Sequence, residues 1–474
     1  MPGSNKPIES NDPELIKLEQ DDILIPENGD SESGKFKQLL GILKKVIGVS
    51  DLANIRLSLP ANLLEPVGNL EYWNYCERPD FFASINGPDN DLERMLAVVR
   101  WTFTKDLRFV KGRLLKPYNS ILGEHFHCYY ETSPLAFDSD GVPIITQWKD
   151  NDPGSTAASD AGSIRASASV STATLAPQVT EDHDTSTDTR VAYLTEQTSH
   201  HPPISHFVLE ARGPKGIVIA TGADQLSAKF TGTSIKVVPG SHTNGIFITL
   251  PDRNNEEYQV THPTATVAGL LRASPYAAMG DCTHITVRNG TGRKLRAIIQ
   301  YIDESWLGKA KFLIEGVIYE YEEGDEDAWT KVKQVPTEKV LVQLSGSWRG
   351  EIKYKTPASK NWMTLLDLQK LLQAPKHVAL LENQDELETR KVWKDVTHAL
   401  QTKNWNEAHN AKTSLEQRQR VFAEERKQSG TVYSPKYFVQ EGEDWDGRPT
   451  MTSAGKEALE RCFTAQYPVS GGNS

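Results

Sequence analysis

Cysteine is scarce in this chain. Four in 474 residues (Cys76, Cys128, Cys282 and Cys462) lie far apart, without metal-ligand spacing, and suit a reducing cytosol. Long apolar runs are lacking too: none approaches the ~18–20 residues needed to cross a bilayer. The stretch Met1 to Asp30 is polar and acidic with no apolar h-region, so no secretory signal is expected and the protein is placed in the cytoplasm. The Asn289-Gly290-Thr291 sequon then reads as a hairpin turn rather than a glycan site. Basic excess is missing as well. With 52 Lys and Arg against 63 Asp and Glu, the net charge is −11, which argues against nucleic acid as a partner. It leaves an anionic membrane surface open, because a local basic patch acts within a Debye length.

The length allows one large domain or two to three ordinary ones. Residues 1–34 are rich in Pro, Glu, Asp, Ser and Asn and read as a disordered acidic N-terminus. From Phe36 through Leu39, Leu40, Leu43, Val46 and Ile47 the apolar positions follow helical spacing, and Gly48 is a stop. Helical patterns follow over Asn69–Ile85 and Asn90–Asp106, the second capped by Asp89 or Asn90. Beyond Tyr118 the texture changes to short alternating runs between Gly, Asn, Asp and Pro turns. Among them are Val191–Gln197, Ile217–Thr221, Ile246–Leu250, Ala297–Ile302, Phe312–Tyr319 and Val340–Leu344. So many successive strands predict a large antiparallel sheet curling into a barrel. Residues 151–190 contain no aromatic and read as a solvated, disordered insertion. The last third turns helical over Asp385–Leu400 and Trp405–Lys427. The aromatics Tyr72, Trp73, Tyr75, Phe81, Phe82 and Trp101 are mostly core.

The most informative residues are Glu196-Gln197-Thr198-Ser199-His200-His201-Pro202-Pro203. Two adjacent imidazoles can donate to an anionic group, and the two prolines remove backbone donors and stiffen the presentation of the pair. The octapeptide resembles the signature of the oxysterol-binding-protein-related family. Two further segments match that family, so the resemblance covers roughly Lys35 to Tyr437. Lys116-Pro117-Tyr118-Asn119-Ser120-Ile121-Leu122-Gly123-Glu124 departs from the family pattern only at Tyr118, usually Phe, and Ser120, usually Pro. Lys412-x3-Glu416-x3-Arg420 lies along one side of a helix. Taken alone, the first would be an ordinary solvated turn and the second a solvated ion-pair face.

The resemblance implies a mainly β, α+β domain over 35–437. It would hold a large incomplete antiparallel β-barrel around a lipid tunnel, an N-terminal lid over 35–60, the insertion 151–190 and C-terminal helices over 385–427. Residues 438–474 would be a tail. It implies that His200, His201, Lys116, Asn119, Lys412, Glu416 and Arg420 grip the headgroup of phosphatidylinositol 4-phosphate. Lys412 and Arg420 would meet phosphate, with Glu416 accepting from an inositol hydroxyl or orienting the cations. The lid would be the helix of Phe36, Leu39, Leu40, Leu43, Val46 and Ile47, whose reading from spacing alone is a core-packed helix. A non-enzymatic monomer without cofactor is expected, exchanging the phosphoinositide for a second lipid in one tunnel and touching membranes transiently. Sterol leads as the second lipid. Phosphatidylserine stays open, since Thr198 and the Gly48–Pro60 connection also resemble serine-lipid carriers, and so does a non-transferring sensor. Zinc on His200, His201 and His206 lacks the helical i, i+4 spacing, and Ser199 lacks a G-x-S-x-G elbow. His206 reads as structural or surface.

Overall fold

Strand residues over 191–194 and 207–209 are apolar on both faces, and the architecture there follows from that. Val191-Ala192-Tyr193-Leu194 and Phe207-Val208-Leu209 are continuous apolar runs, the pattern of a sheet covered on both sides. The computed structural model describes residues 64–111, 116–145, 148, 188–270, 276–304, 309–322, 324–325, 327–439, 442 and 445–469, with Gly41. Twelve strands form one sheet in chain order. They are β1 (His125–Thr132), β2 (Thr189–His200), β3 (Pro203–Gly213), β4 (Gly216–Asp224), β5 (Ile246–Leu250) and β6 (Glu256–Val260). After these come β7 (Cys282–Asn289), β8 (Leu295–Tyr301), β9 (Leu313–Glu320), β10 (Val340–Ser347), β11 (Glu351–Lys355) and β12 (Met363–Asp367). Every neighbouring pair is antiparallel, and β1 and β12 remain the two edges, so the barrel is incomplete. A four-stranded sheet from 226–239 and 264–280 stands beside it.

One face of β1–β3 places Phe126, Cys128, Tyr130, Val191, Tyr193, Phe207 and Leu209 in the main core. Into that concavity pack α1 (Asn69–Tyr72), α2 (Pro79–Ala83), α3 (Asp91–Thr104) and α4 (Arg108–Lys111). Helix α3 is buried continuously from Arg94 to Thr104 and starts at Asn90, whose Oδ1 accepts from the Leu92 and Glu93 amides. Its two buried cations are answered: Arg94 donates Nε and Nη2 to Glu256 at 2.8 and 2.7 Å, and Arg100 donates Nε to Leu365 O at 3.2 Å. The continuous helix expected over Asn69–Ile85 is not there. Pro79 opens α2 and keeps Arg78 out of the helical region, while Tyr75 takes a positive φ of 55°.

The opposite face of β1–β3 is equally dry. Tyr129, Ala192, Leu194 and Val208 pack against Tyr437, Phe438 and the helix Ser453–Thr464, through Ala458, Leu459 and Cys462. The region expected as a tail, 438–474, therefore carries part of the fold. A second correction concerns the insertion. Strand β2 begins at Thr189, inside the stretch 151–190, and Arg190 donates Nη1 to the carbonyls of Cys462, Phe463 and Ala465 that end that last helix. The rest of the insertion, residues 151–187, the N-terminus 1–34 and the expected lid residues Phe36, Leu39, Leu40, Leu43, Val46 and Ile47 lie outside the described residues. The C-terminal helices begin later than Asp385, as α5 (Thr389–Val392), α6 (Lys394–Gln401) and α7 (Trp405–Ser429); the helix Ser453–Thr464 is α8.

Candidate functional site

Two buried carboxylates assemble the site from distant parts of the chain. Glu124 is fully buried and accepts from the Ile121 amide at 2.9 Å, Thr389 Oγ1 at 2.9 Å and Trp393 Nε1 at 3.1 Å. Burial pushes its pKa up to about 7, against the pull of those three donors. Glu196, also fully buried, accepts from Tyr433 Oη and from the amides of Lys436 and Tyr437 at 2.7–2.8 Å. Glu124 thereby ties the 116–124 loop to α5, and Glu196 ties β2 to the chain leaving α7. The loop and β2 are tied to each other: the Gly123 amide donates to Gln197 O and the Gln197 amide to Glu124 O. Gly123 has φ +80°, and a Cβ there would sit 2.8 Å from Tyr433 Oη, so this position needs glycine.

Tyr118 stacks on Trp393 at 4.6 Å and shares a hydrogen bond with Thr397. With Ile121, Leu400, Ala408 and Leu415 they form a small apolar core that seats α7 against the loop. That packing sets two ammonium groups near each other. Lys116 is water-exposed yet recessed, and donates Nζ to Asn119 Oδ1 at 2.6 Å and Pro117 O at 3.1 Å. Desolvation first, and then the charge of Lys412, bring its pKa down to about 8. Lys412 is buried, with Nζ 2.6 Å from Glu416 Oε1 one turn on. Arg420 follows at the next turn, exposed to solvent. Four of the expected residues, Lys116, Asn119, Lys412 and Glu416, are thus gathered by one scaffold. Lys116 thus meets two neutral oxygens, while Lys412 meets one carboxylate oxygen.

His200 ends β2 and His201 opens the tight turn into β3, with His200 in register with Pro203. Their rings meet edge to face at 4.6 Å, His201 is exposed, and the His201–Pro202 peptide is cis. Ser199 Oγ bonds Pro202 O at 2.7 Å across the turn. The pair stands three residues beyond Gln197, the residue that holds the Lys116 loop. His206 is separate: buried on β3, it packs against Phe438 and Trp445, as a structural histidine would.

Several residues that matter here went unread in the sequence. Glu124 and Glu196 stand inside the motifs, but their partners lie far downstream. A polar node also interrupts the main core. Tyr75 Oη donates to Asp224 Oδ1 at 2.7 Å, His262 packs on Tyr75 at 5.8 Å, and the Lys105 cation is close. Burial raises the Asp224 pKa to about 7 and lowers that of His262 to about 3. Through Ser205, Asp224 is in register with Gln197, which puts the node at the rim that carries the histidine turn. Among the described residues no helix is long and apolar enough to cross a membrane.

Comparison with known proteins gives this geometry a lineage. The family model described as oxysterol-binding protein matches residues 38–400. Oxysterol-binding protein-like protein 1 of Schizosaccharomyces pombe is 37% identical over 98% of this chain and 99% of its own length. Human oxysterol-binding protein-related protein 11 is 29% identical over 82% of this chain and 46% of its own. In fold, the chain is similar to the Osh1 ORD domain solved with ergosterol (TM-score 0.56, 18% identity, 90% of this chain and 88% of that one). It is equally similar to the Osh3 ORD solved with PI(4)P from Saccharomyces cerevisiae (TM-score 0.56, 16% identity, 90% and 92%). The family match across most of the chain and the relative aligned over nearly its whole length agree: this chain belongs to the oxysterol-binding protein family.

Proposed function

We propose that this protein exchanges phosphatidylinositol 4-phosphate for a second lipid, sterol, in one tunnel between membranes, with no chemical conversion of either. The observation that carries the reading is the pairing of Lys116 and Lys412 around Asn119 by the Tyr118–Trp393–Leu415 packing. Lys116 meets two neutral oxygens beside the Lys412–Glu416 pair, and a phosphomonoester would offer both ammonium groups an anion to share. Asn119 can both donate to and accept from inositol hydroxyls, and Glu416 can accept from one while it orients Lys412. His200 and His201, on the turn beside the loop, complete the grip as donors, and Arg420 closes it bidentately from α7.

Sterol as the second lipid is supported by the neighbour solved with ergosterol and by the apolar face of β1–β3, beside which stands the polar node at Tyr75 and Asp224. A largely apolar molecule with a single hydroxyl suits such a face. One cavity cannot bury two sets of apolar groups, so binding of the two lipids excludes each other. Association with a membrane is peripheral and transient in this account. The test is extraction from liposomes containing the phosphoinositide, with sterol or phosphatidylserine as competitor. Displacement by sterol alone supports the reading, and displacement by phosphatidylserine alone replaces the second ligand.

A further inference from the structure

Helix α7 is longer than its packing requires. Of its 25 residues only Ala408, Lys412 and Leu415 are buried, all in its first half. From Gln417 to Val432 no residue is buried, so the second half runs along the outside of the molecule. Its exposed side chains are not the usual polar set. Val421 and Phe422 are 45% and 43% exposed, and Val432, just past the left-handed Gly430 cap, is 71% exposed. Arg418 lies on the same face, one turn before both Val421 and Phe422. Arg420, Arg426 and Lys427 add three cations, against Glu424 and Glu425; four basic less two acidic residues leave this stretch at +2 in a chain of −11. Glu424 is engaged by Gln428 Nε2 at 3.0 Å, and Glu425 sits between the apolar pair one turn on.

The position matters as much as the composition. The same helix carries Lys412 and Glu416, and the chain leaving Val432 returns at once to Tyr433, whose hydroxyl rests on Glu196 and over Gly123. The projecting half-helix therefore borders the rim formed by both motifs.

We propose that this half of α7, with Val432, is the surface that docks the protein on an anionic lipid bilayer. Val421, Phe422 and Val432 enter the headgroup boundary, and Arg418, Arg426 and Lys427 meet acidic lipids. A protein partner fits less well. Three apolar side chains fall far short of the ~800 Å² per side that a stable protein interface covers. A bilayer needs only a few apolar anchors and cations on one face. The inference rests on the lipid-exchange reading for its purpose, but its test does not.

The full chain is floated with vesicles of phosphatidylcholine, with and without phosphatidylserine and with no phosphoinositide. Two variants are compared, Val421→Ser/Phe422→Ser and Arg418→Ala/Lys427→Ala; all four positions are exposed and the unfolding midpoint checks the fold. The charge variant is expected to lose roughly fivefold in partitioning per cation removed, only on serine-lipid vesicles. The apolar variant loses binding on both compositions. Binding of soluble inositol 1,4-bisphosphate stays at the wild-type level in both variants. Partitioning equal to wild type in both variants overturns the proposal, as does a wild-type chain that ignores anionic vesicles. A wild-type dimer that the apolar variant converts to monomer, with vesicle binding intact, overturns it in favour of a face between copies. If wild type binds vesicles but not the soluble headgroup, the headgroup reading fails while the docking surface stands.

Discussion

Replacing Glu124 with alanine tests whether the headgroup loop is held from behind, as the geometry requires. The side chain is fully buried and satisfies three donors, Ile121 N, Trp393 Nε1 and Thr389 Oγ1. Thr389 has a second acceptor in His125 O at 3.2 Å, so two donors lose their partner outright. A buried donor left unsatisfied costs about 1–3 kcal/mol, which puts the gross loss at roughly 2–6 kcal/mol. Against this, the wild-type carboxyl is itself costly to bury, as its pKa of about 7 records, and alanine removes that cost. The net expectation is a loss of about 2–4 kcal/mol, read as a lower urea midpoint with unchanged slope. Glu124→Gln keeps one acceptor oxygen and loses about half as much. Loosening the loop also frees Lys116 and Asn119, so affinity for soluble inositol 1,4-bisphosphate drops at least about tenfold at temperatures where the variant is folded. An alanine variant within about 0.5 kcal/mol of wild type, with full headgroup affinity, would refute the clamp.

Three further outcomes follow from other parts of the molecule. The His200→Ala/His201→Ala double variant abolishes phosphoinositide extraction and spares most sterol binding; equal loss of both in a folded protein would mean the two sites are not separable. Headgroup affinity has an alkaline limit set by Lys116. The free ammonium, lowered to about 8, must be charged to hold phosphate, so affinity is full below that value and falls as pH rises through it. Lys116→Arg, charged at every accessible pH, removes that fall, and calorimetric titrations at several pH values would read it. Finally, deleting 151–187 leaves extraction nearly unchanged, whereas extending the deletion through Arg190 costs about 2–3 kcal/mol by removing the charged donor to α8 and Glu131. Equal stability of the two deletions would show that the Arg190 contacts contribute nothing.

How much of this was legible in the sequence varied with the range of the interaction involved. Strands declare themselves locally, and Ile246–Leu250 matches its expected ends. The helix over 69–85 misled because its apolar spacing outweighed Pro79, the residue that breaks it. Helix α8 was overlooked within a polar stretch, though two signals pointed to it. Thr452 caps it in sequence, and Val191-Ala192-Tyr193-Leu194 needs a cover on its second face. The motifs gave the cations, the amide and the histidines, all residue types whose chemistry is visible alone. They did not give the clamps. Glu124 and Glu196 look like ordinary acids until Thr389, Trp393, Tyr433 and Tyr437 fold back onto them, and no local pattern encodes that return. The polar node of Tyr75, Asp224 and His262 was hidden for the same reason, since it joins three separate segments.

The most direct test of exchange through one tunnel uses two vesicle populations, one loaded with phosphatidylinositol 4-phosphate and the other with sterol, and follows both lipids at once. The account predicts reciprocal movement in equal amounts, lost for both lipids between vesicles when His200 and His201 are replaced together, and never both lipids on one protein molecule. Binding of the protein to phosphoinositide vesicles with neither lipid leaving its membrane would contradict it and make the protein a sensor.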